Sequence, residues 1–236
     1  MNLSASRLVR SSLATAAFVL AAPPGPGAAE LQVAPAGPGF ELRVTDRPLV
    51  QRGFLPNASP RSIAVGMPGG ISYCFDTESC CLRYAWSGGF LDMKPNWHER
   101  GASPPNLGGS RFFTATAGAA WRLDESGKAV TPQFRGYELV QGLPVFRFSV
   151  AGTEIQQRLE AADGGLRIQL ERRRGAVPLQ FQVPAGLRVR VGAGNQPAAA
   201  DWVALPAAKS GPLELFLPGP APAGSGGPPQ ANPNPP

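Results

Sequence analysis

Apolar and polar residues alternate one for one in segment after segment of this chain, and that period constrains its fold more than any other feature. In Leu166-Arg167-Ile168-Gln169-Leu170-Glu171 the apolar side chains fall on every second position, and Leu187-Arg188-Val189-Arg190-Val191 repeats the logic. Val145-Phe146-Arg147-Phe148-Ser149-Val150 follows it less cleanly, and Leu213-Glu214-Leu215-Phe216-Leu217 is the expected last strand. Successive side chains of a strand point to opposite faces. The pattern therefore predicts strands with one buried and one wet face, as antiparallel sheets have.

Turn signals punctuate these segments closely: Glu125-Ser126-Gly127, Gln141-Gly142, Ala151-Gly152, Asp163-Gly164-Gly165 and Gly192-Ala193-Gly194. Gly-containing pairs supply the positive φ that tight hairpins need. The spacing leaves no room for crossover helices, which excludes a parallel α/β sheet. The expected architecture is all-β: an antiparallel β-sandwich, supersandwich-like, or a half-open barrel, spanning residues 40–217.

The ends have a different composition. Arg7 and Arg10 precede a short apolar run from Leu13 to Ala22, then Pro23, Pro24 and Pro26, then the small residues Gly27-Ala28-Ala29. A spanning helix needs roughly 20 apolar residues, so the run is read as a cleavable signal peptide over 1–29 and not as an anchor. Export implies an extracytoplasmic location, periplasmic or secreted, and no membrane span after cleavage. Residues 30–39 read as a flexible linker. Residues 218–236, rich in Pro and Gly, read as a disordered tail, because such composition buries too little apolar surface to offset its ordering entropy.

The formal charge is +6; removing residues 1–29 takes away two Arg and no acid, which leaves +4. Nucleic-acid binders concentrate basic charge in a stripe or patch. Here the one dense cluster, Arg172-Arg173-Arg174, reads as a solvated strand end, so no nucleic-acid partner is expected.

Met67 to Arg100 holds all three cysteines and the single histidine. Ile71–Phe75, the turn Asp76–Ser79 and Cys80–Trp86 form a predicted hairpin, which brings Cys74 near Cys80 and Cys81. In an oxidising compartment the expectation is a disulfide, Cys74–Cys80 or Cys74–Cys81, with one thiol left over. A zinc site needs four ligands and a c-type haem needs Cys-x-x-Cys-His. Neither pattern occurs, and no metal or cofactor is expected. His98 is a candidate for ligand binding. Asp76, Asp92 and Glu99 are the candidate acids for sugar chemistry, while Trp97 and Trp86 offer faces on which a sugar ring can stack. Trp121 and Trp202 fall in predicted strands and are expected in the core.

One stretch carries a resemblance. Tyr73-Cys74-Phe75-Asp76, Cys80, Leu82 through Asp92, Trp97 and Arg100-Gly101, followed by Phe134-Arg135-Gly136-Tyr137 and Gly142 through Phe148, resemble a domain of large secreted bacterial oxidoreductases. Those proteins join c-type cytochrome domains to sorbosone-dehydrogenase-like propellers. The resemblance covers roughly residues 60–170. It implies an extracytoplasmic β-rich accessory domain associated with redox chemistry, here without the cytochrome or the propeller. The expected function is a secreted, non-catalytic binding module, its partner a redox protein or a carbohydrate-like ligand. The alternatives are a sugar-active enzyme using loop carboxylates and a structural envelope protein.

Overall fold

A computed structural model describes residues 39–98, 103–116, 118–191, 194–197 and 201–220. The expected signal peptide, most of the expected linker and nearly all of the expected tail lie outside these residues. The first half contains β1 (Glu41–Leu42), β2 (Leu49–Gly53), β3 (Ser62–Gly66), β4 (Ile71–Asp76), β5 (Cys81–Asp92), the single-turn helix α1 (Lys94–His98) and β6 (Asn106–Thr114). Then come β7 (Trp121–Leu123), β8 (Gln133–Val140), β9 (Leu143–Val150), β10 (Thr153–Ala162) and β11 (Gly165–Arg174). The last are β12 (Leu179–Gln182), β13 (Arg188–Val191), β14 (Gly194–Pro197), β15 (Trp202–Ala204) and β16 (Leu213–Pro218). The fold is an all-β, sandwich-like one, and its named ladders are antiparallel.

The seven-stranded sheet runs β14-β13-β16-β11-β10-β9-β8. It is the part with clean alternation. Its hairpins turn on Gln141-Gly142, Ala151-Gly152 and Asp163-Gly164, each pair with both φ positive. That is the geometry whose twist matches a two-residue hairpin. Phe146, Phe148, Ile155, Leu159, Ile168 and Leu215 line its buried face.

The six-stranded sheet runs β1-β5-β4-β3-β2, with β6 also on β5. Ile63, Val65, Tyr73, Phe75 and Leu82 face the seven-stranded sheet and share its core. A three-stranded sheet, β15-β12-β7, closes the same core through Trp121, Leu179 and Phe181, with Trp121 against Phe148 at 5.6 Å and Phe181 at 4.9 Å. A second, smaller cluster of Leu55, Ala64, Cys74, Tyr84, Trp86 and Leu91 includes residues from β3, β4 and β5. With apolar clusters on both faces, β3 is buried along its whole length. That explains why its sequence, Ser-Ile-Ala-Val-Gly, does not alternate.

In the Arg172-Arg173-Arg174 cluster, Arg173 and Arg174 are exposed, as a solvated strand end is, but Arg172 departs from that reading. Arg172 is buried and donates to the carbonyls of Val177 (2.9 Å), Pro206 (3.1 Å), Leu205 (3.2 Å) and Gly175 (3.5 Å). It ties the end of β11 to two loops. The described residues contain no helix long and apolar enough to cross a membrane.

Candidate functional site

β5 changes partners along one edge. β4 pairs with it as far as Ser87, and β1 takes over at Leu91 and Asp92. Between them Gly88, Gly89 and Phe90 border a gap, and the gap is a cleft of about 390 Å³. Glu41 and Arg43 line it from the β1 side, Gly69 and Gly70 from the turn between β3 and β4.

The backbone of this kink is held from two directions. The buried Trp86 indole donates to the carbonyls of Gly89 and Phe90, both at 3.1 Å, and its ring lies nearly parallel to that of Phe90. On the other side β6 comes so close that a Cβ on Gly89 would stand 2.7 Å from the Gly108 carbonyl oxygen. Only glycine fits there. Gly88 N–H donates to the Gly70 carbonyl at 3.0 Å, across the gap.

Glu41 and Asp92 lie directly opposite each other in the β1–β5 ladder, so two carboxylates share one end of the cleft. Arg43 donates to Glu41 at 2.9 Å. Asp92 accepts the Lys94 N–H at 3.0 Å, which caps the first turn of α1, and the Asn106 side-chain amide at 3.4 Å. The strand pair continues one step further, where Met93 N–H donates to the Phe40 carbonyl at 2.8 Å. Here Phe40 and Trp97 are 37% and 46% exposed, with ring centroids 6.0 Å apart. His98 packs edge-on against Phe40 at 4.9 Å. Trp97 and His98 belong to the short helix α1, which presents this aromatic patch.

Several sequence-derived candidates take other positions. Asp76 is nearly buried. Its carboxylate accepts the Ser59, Glu78 and Ser79 N–H groups at 3.2, 2.8 and 3.4 Å, so it builds the β4–β5 turn. Trp86 belongs to the smaller core cluster and offers no face to a ligand; its role is to hold the kink. Trp121 is buried, as expected of a strand tryptophan, whereas Trp202 is only half-buried, with the Arg122 guanidinium 4.2 Å over its ring. Glu99 lies outside the described residues. Glu41 and Arg43 carry no motif; the β1–β5 pairing alone reveals them.

The expected disulfide is absent, and Cys74, Cys80 and Cys81 are all free and buried. Each thiol is committed elsewhere. Cys74 lies in the smaller cluster, packed among Ala64, Tyr84 and Trp86. Cys80 donates to the Thr77 carbonyl at 3.4 Å, and Cys81 Sγ meets Ser79 Oγ at 3.1 Å. Both belong to the larger cluster. Burial pushes the Cys74 thiol up to about 12 and the Cys81 thiol to about 11, and raises Cys80 as well.

The comparisons with known proteins bear on this same region. Residues 73–157 match a family model described as a domain of unknown function (DUF6797). The match runs from β4 into β10, and so includes the kinked β5, α1 and β6. No curated protein and no solved structure matches the chain.

Proposed function

We propose that the chain is an exported, non-catalytic binding module that takes a carbohydrate-like ligand at the β1–β5 cleft. The observation that carries this reading is the exposed Phe40–Trp97 pair at the end of the strand pair that walls the cleft. Flat aromatic faces beside polar groups suit sugar rings, which have an apolar face and a hydroxyl rim. Glu41, Arg43 and Asp92 supply acceptors and donors for hydroxyls. The engagement of Asp92 with Lys94 and Asn106, and of Glu41 with Arg43, supports binding over acid–base turnover. The extracytoplasmic location rests on the signal-like N-terminus, and the association with secreted oxidoreductases rests on the resemblance described above. A redox protein is the partner that resemblance implies.

A second reading has one observation in its favour. The cross-strand pairing of Glu41 with Asp92 brings two carboxylates to one end of the cleft, and a sugar-active enzyme works with two carboxyl groups flanking the bond it cleaves.

The test is a titration of the full chain against a panel of neutral oligosaccharides, followed by calorimetry and by release of reducing ends. The binding reading expects affinity for at least one member without turnover, and Trp97→Ala weakening it by about tenfold or more. Turnover abolished by Asp92→Asn would establish the second reading. Binding that ignores Trp97→Ala, Phe40→Ala and Asp92→Ala alike would remove the cleft and its aromatic end from consideration.

A further inference from the structure

The outer face of the seven-stranded sheet carries a second groove, built by two β-bulges. In β8 the ladder passes from Phe134 opposite Phe148 to Gly136 opposite Arg147, so Arg135 is the extra residue. In β11 it passes from Arg174 opposite Glu154 to Arg172 opposite Ile155, so Arg173 is the extra residue. A bulge re-aims a side chain relative to the ladder. Here the two bulges bring Arg135 and Arg173 to one groove of about 590 Å³, with Arg147 of β9 in the same lining. Arg172 ends the inward-facing row of Leu166, Ile168 and Leu170, while Arg173 faces the groove.

The three arginines are held but not neutralised equally. Arg135 donates to Gln133 at 2.8 Å and Ser149 at 3.3 Å, both uncharged. Arg147 pairs with Glu138 at 3.6 Å and Arg173 with Glu171 at 2.6 Å, in pairs about half exposed. Exposed pairs of this kind are weak, so an incoming carboxylate can displace them. Gln156 lines this groove and also a neighbouring one of about 260 Å³, which runs on over Arg158 and Gln169. The two make a continuous polar track across β9, β10 and β11.

We propose that this track binds an acidic polysaccharide, a polymer of uronic acids, with Arg135, Arg147 and Arg173 as carboxylate sites. A guanidinium pairs with a carboxylate through two parallel hydrogen bonds. Ser149, Gln156 and Gln169 offer donors and acceptors to the hydroxyls between carboxylates. Glu138, Glu154 and Glu171 are interleaved with the arginines, which disfavours a polyphosphate, whose charges crowd closer along the chain than carboxylates separated by a sugar ring. The site is on a different sheet from the β1–β5 cleft and does not rest on it.

The experiment is native affinity electrophoresis of the full chain through gels containing polygalacturonate, dextran or polyphosphate. Polygalacturonate should retard the protein, while dextran and polyphosphate should not. Arg135→Lys, Arg147→Lys and Arg173→Lys should each weaken the interaction by about tenfold, because lysine keeps the charge and loses the planar fork. Arg147 is the extra residue of neither bulge and is half exposed, so its variant keeps the fold, and a thermal melt verifies this for all three. Trp97→Ala should leave the retardation unchanged, which separates this site from the cleft. The proposal falls if polygalacturonate causes no retardation, if polyphosphate retards equally, or if the lysine variants match the parent.

Discussion

Phe75 of β4 and Phe146 of β9 stack face to face, with ring centroids 3.8 Å apart and planes 3° from parallel. One ring comes from each main sheet, both are fully buried, and Tyr137 and Phe134 flank them. The contact joins the two layers at their common core. Phe146→Ala removes this packing and leaves a cavity bounded by two sheets that cannot collapse independently. The expected cost is about 3–5 kcal/mol, read as a fall in the urea midpoint. Phe146→Leu should lose less than half as much.

Arg172 makes a similar join with polar atoms. Its guanidinium has four backbone carbonyls around it and no carboxylate among its hydrogen-bond partners. Removing it strands those acceptors inside the protein. Arg172→Met should cost about 3 kcal/mol or more, since each orphaned buried acceptor costs about 1–3 kcal/mol. Arg172→Lys should recover only part of that, having one nitrogen where the guanidinium has three. Thermal unfolding measures both.

The seven-stranded sheet was legible in the sequence because one of its faces meets water, so apolar residues fall on alternate positions and glycine pairs mark each reversal. The six-stranded sheet was less so. β3 is buried on both faces, and a strand without a wet side has no alternation to read. The region of the site was also legible, since Trp97 and Asp92 stand out by type. Their partners were not. Glu41 and Arg43 sit at the margin of a Pro- and Gly-rich stretch, and only the pairing of a two-residue strand with the far end of β5 brings them to the cleft. Arg172 looked like surface because its neighbours are arginines, yet it continues the alternation of Leu166, Ile168 and Leu170 onto the buried face, where the pattern leads one to expect an apolar residue.

Asp76 tests the distinction between a carboxylate that binds and one that builds. It accepts three backbone N–H groups at the turn between β4 and β5. Asp76→Ala leaves those donors without a partner and should destabilise the protein by about 2–3 kcal/mol. Ligand affinity at the cleft should be unchanged under conditions where the variant is folded. Asp92→Ala should show the reverse balance: a loss of about 1 kcal/mol from the α1 cap, with a marked loss of binding. Chemical denaturation and calorimetry on the two variants, run side by side, separate the roles.

The three thiols make a prediction about alkali. Burial holds the Cys74 and Cys81 thiols at about 12 and 11, against an ordinary value of 9.0, and raises Cys80 and the Tyr73 phenol too. The folded protein therefore keeps protons that the unfolded chain releases. Stability linked to these groups is fully present below about pH 9 and is lost as pH rises through the folded values. Each group contributes a slope of at most about 1.4 kcal/mol per pH unit within its window. The urea midpoint should hold steady from pH 7 to 8 and fall between pH 9 and 11. Cys81→Ala should make that fall shallower. The same burial predicts that iodoacetamide at pH 8 labels no cysteine in the native protein and all three in urea, counted by intact mass. Fast labelling of the folded chain, or an alkaline fall unaltered by Cys81→Ala, would contradict the assignment of these thiols to the core.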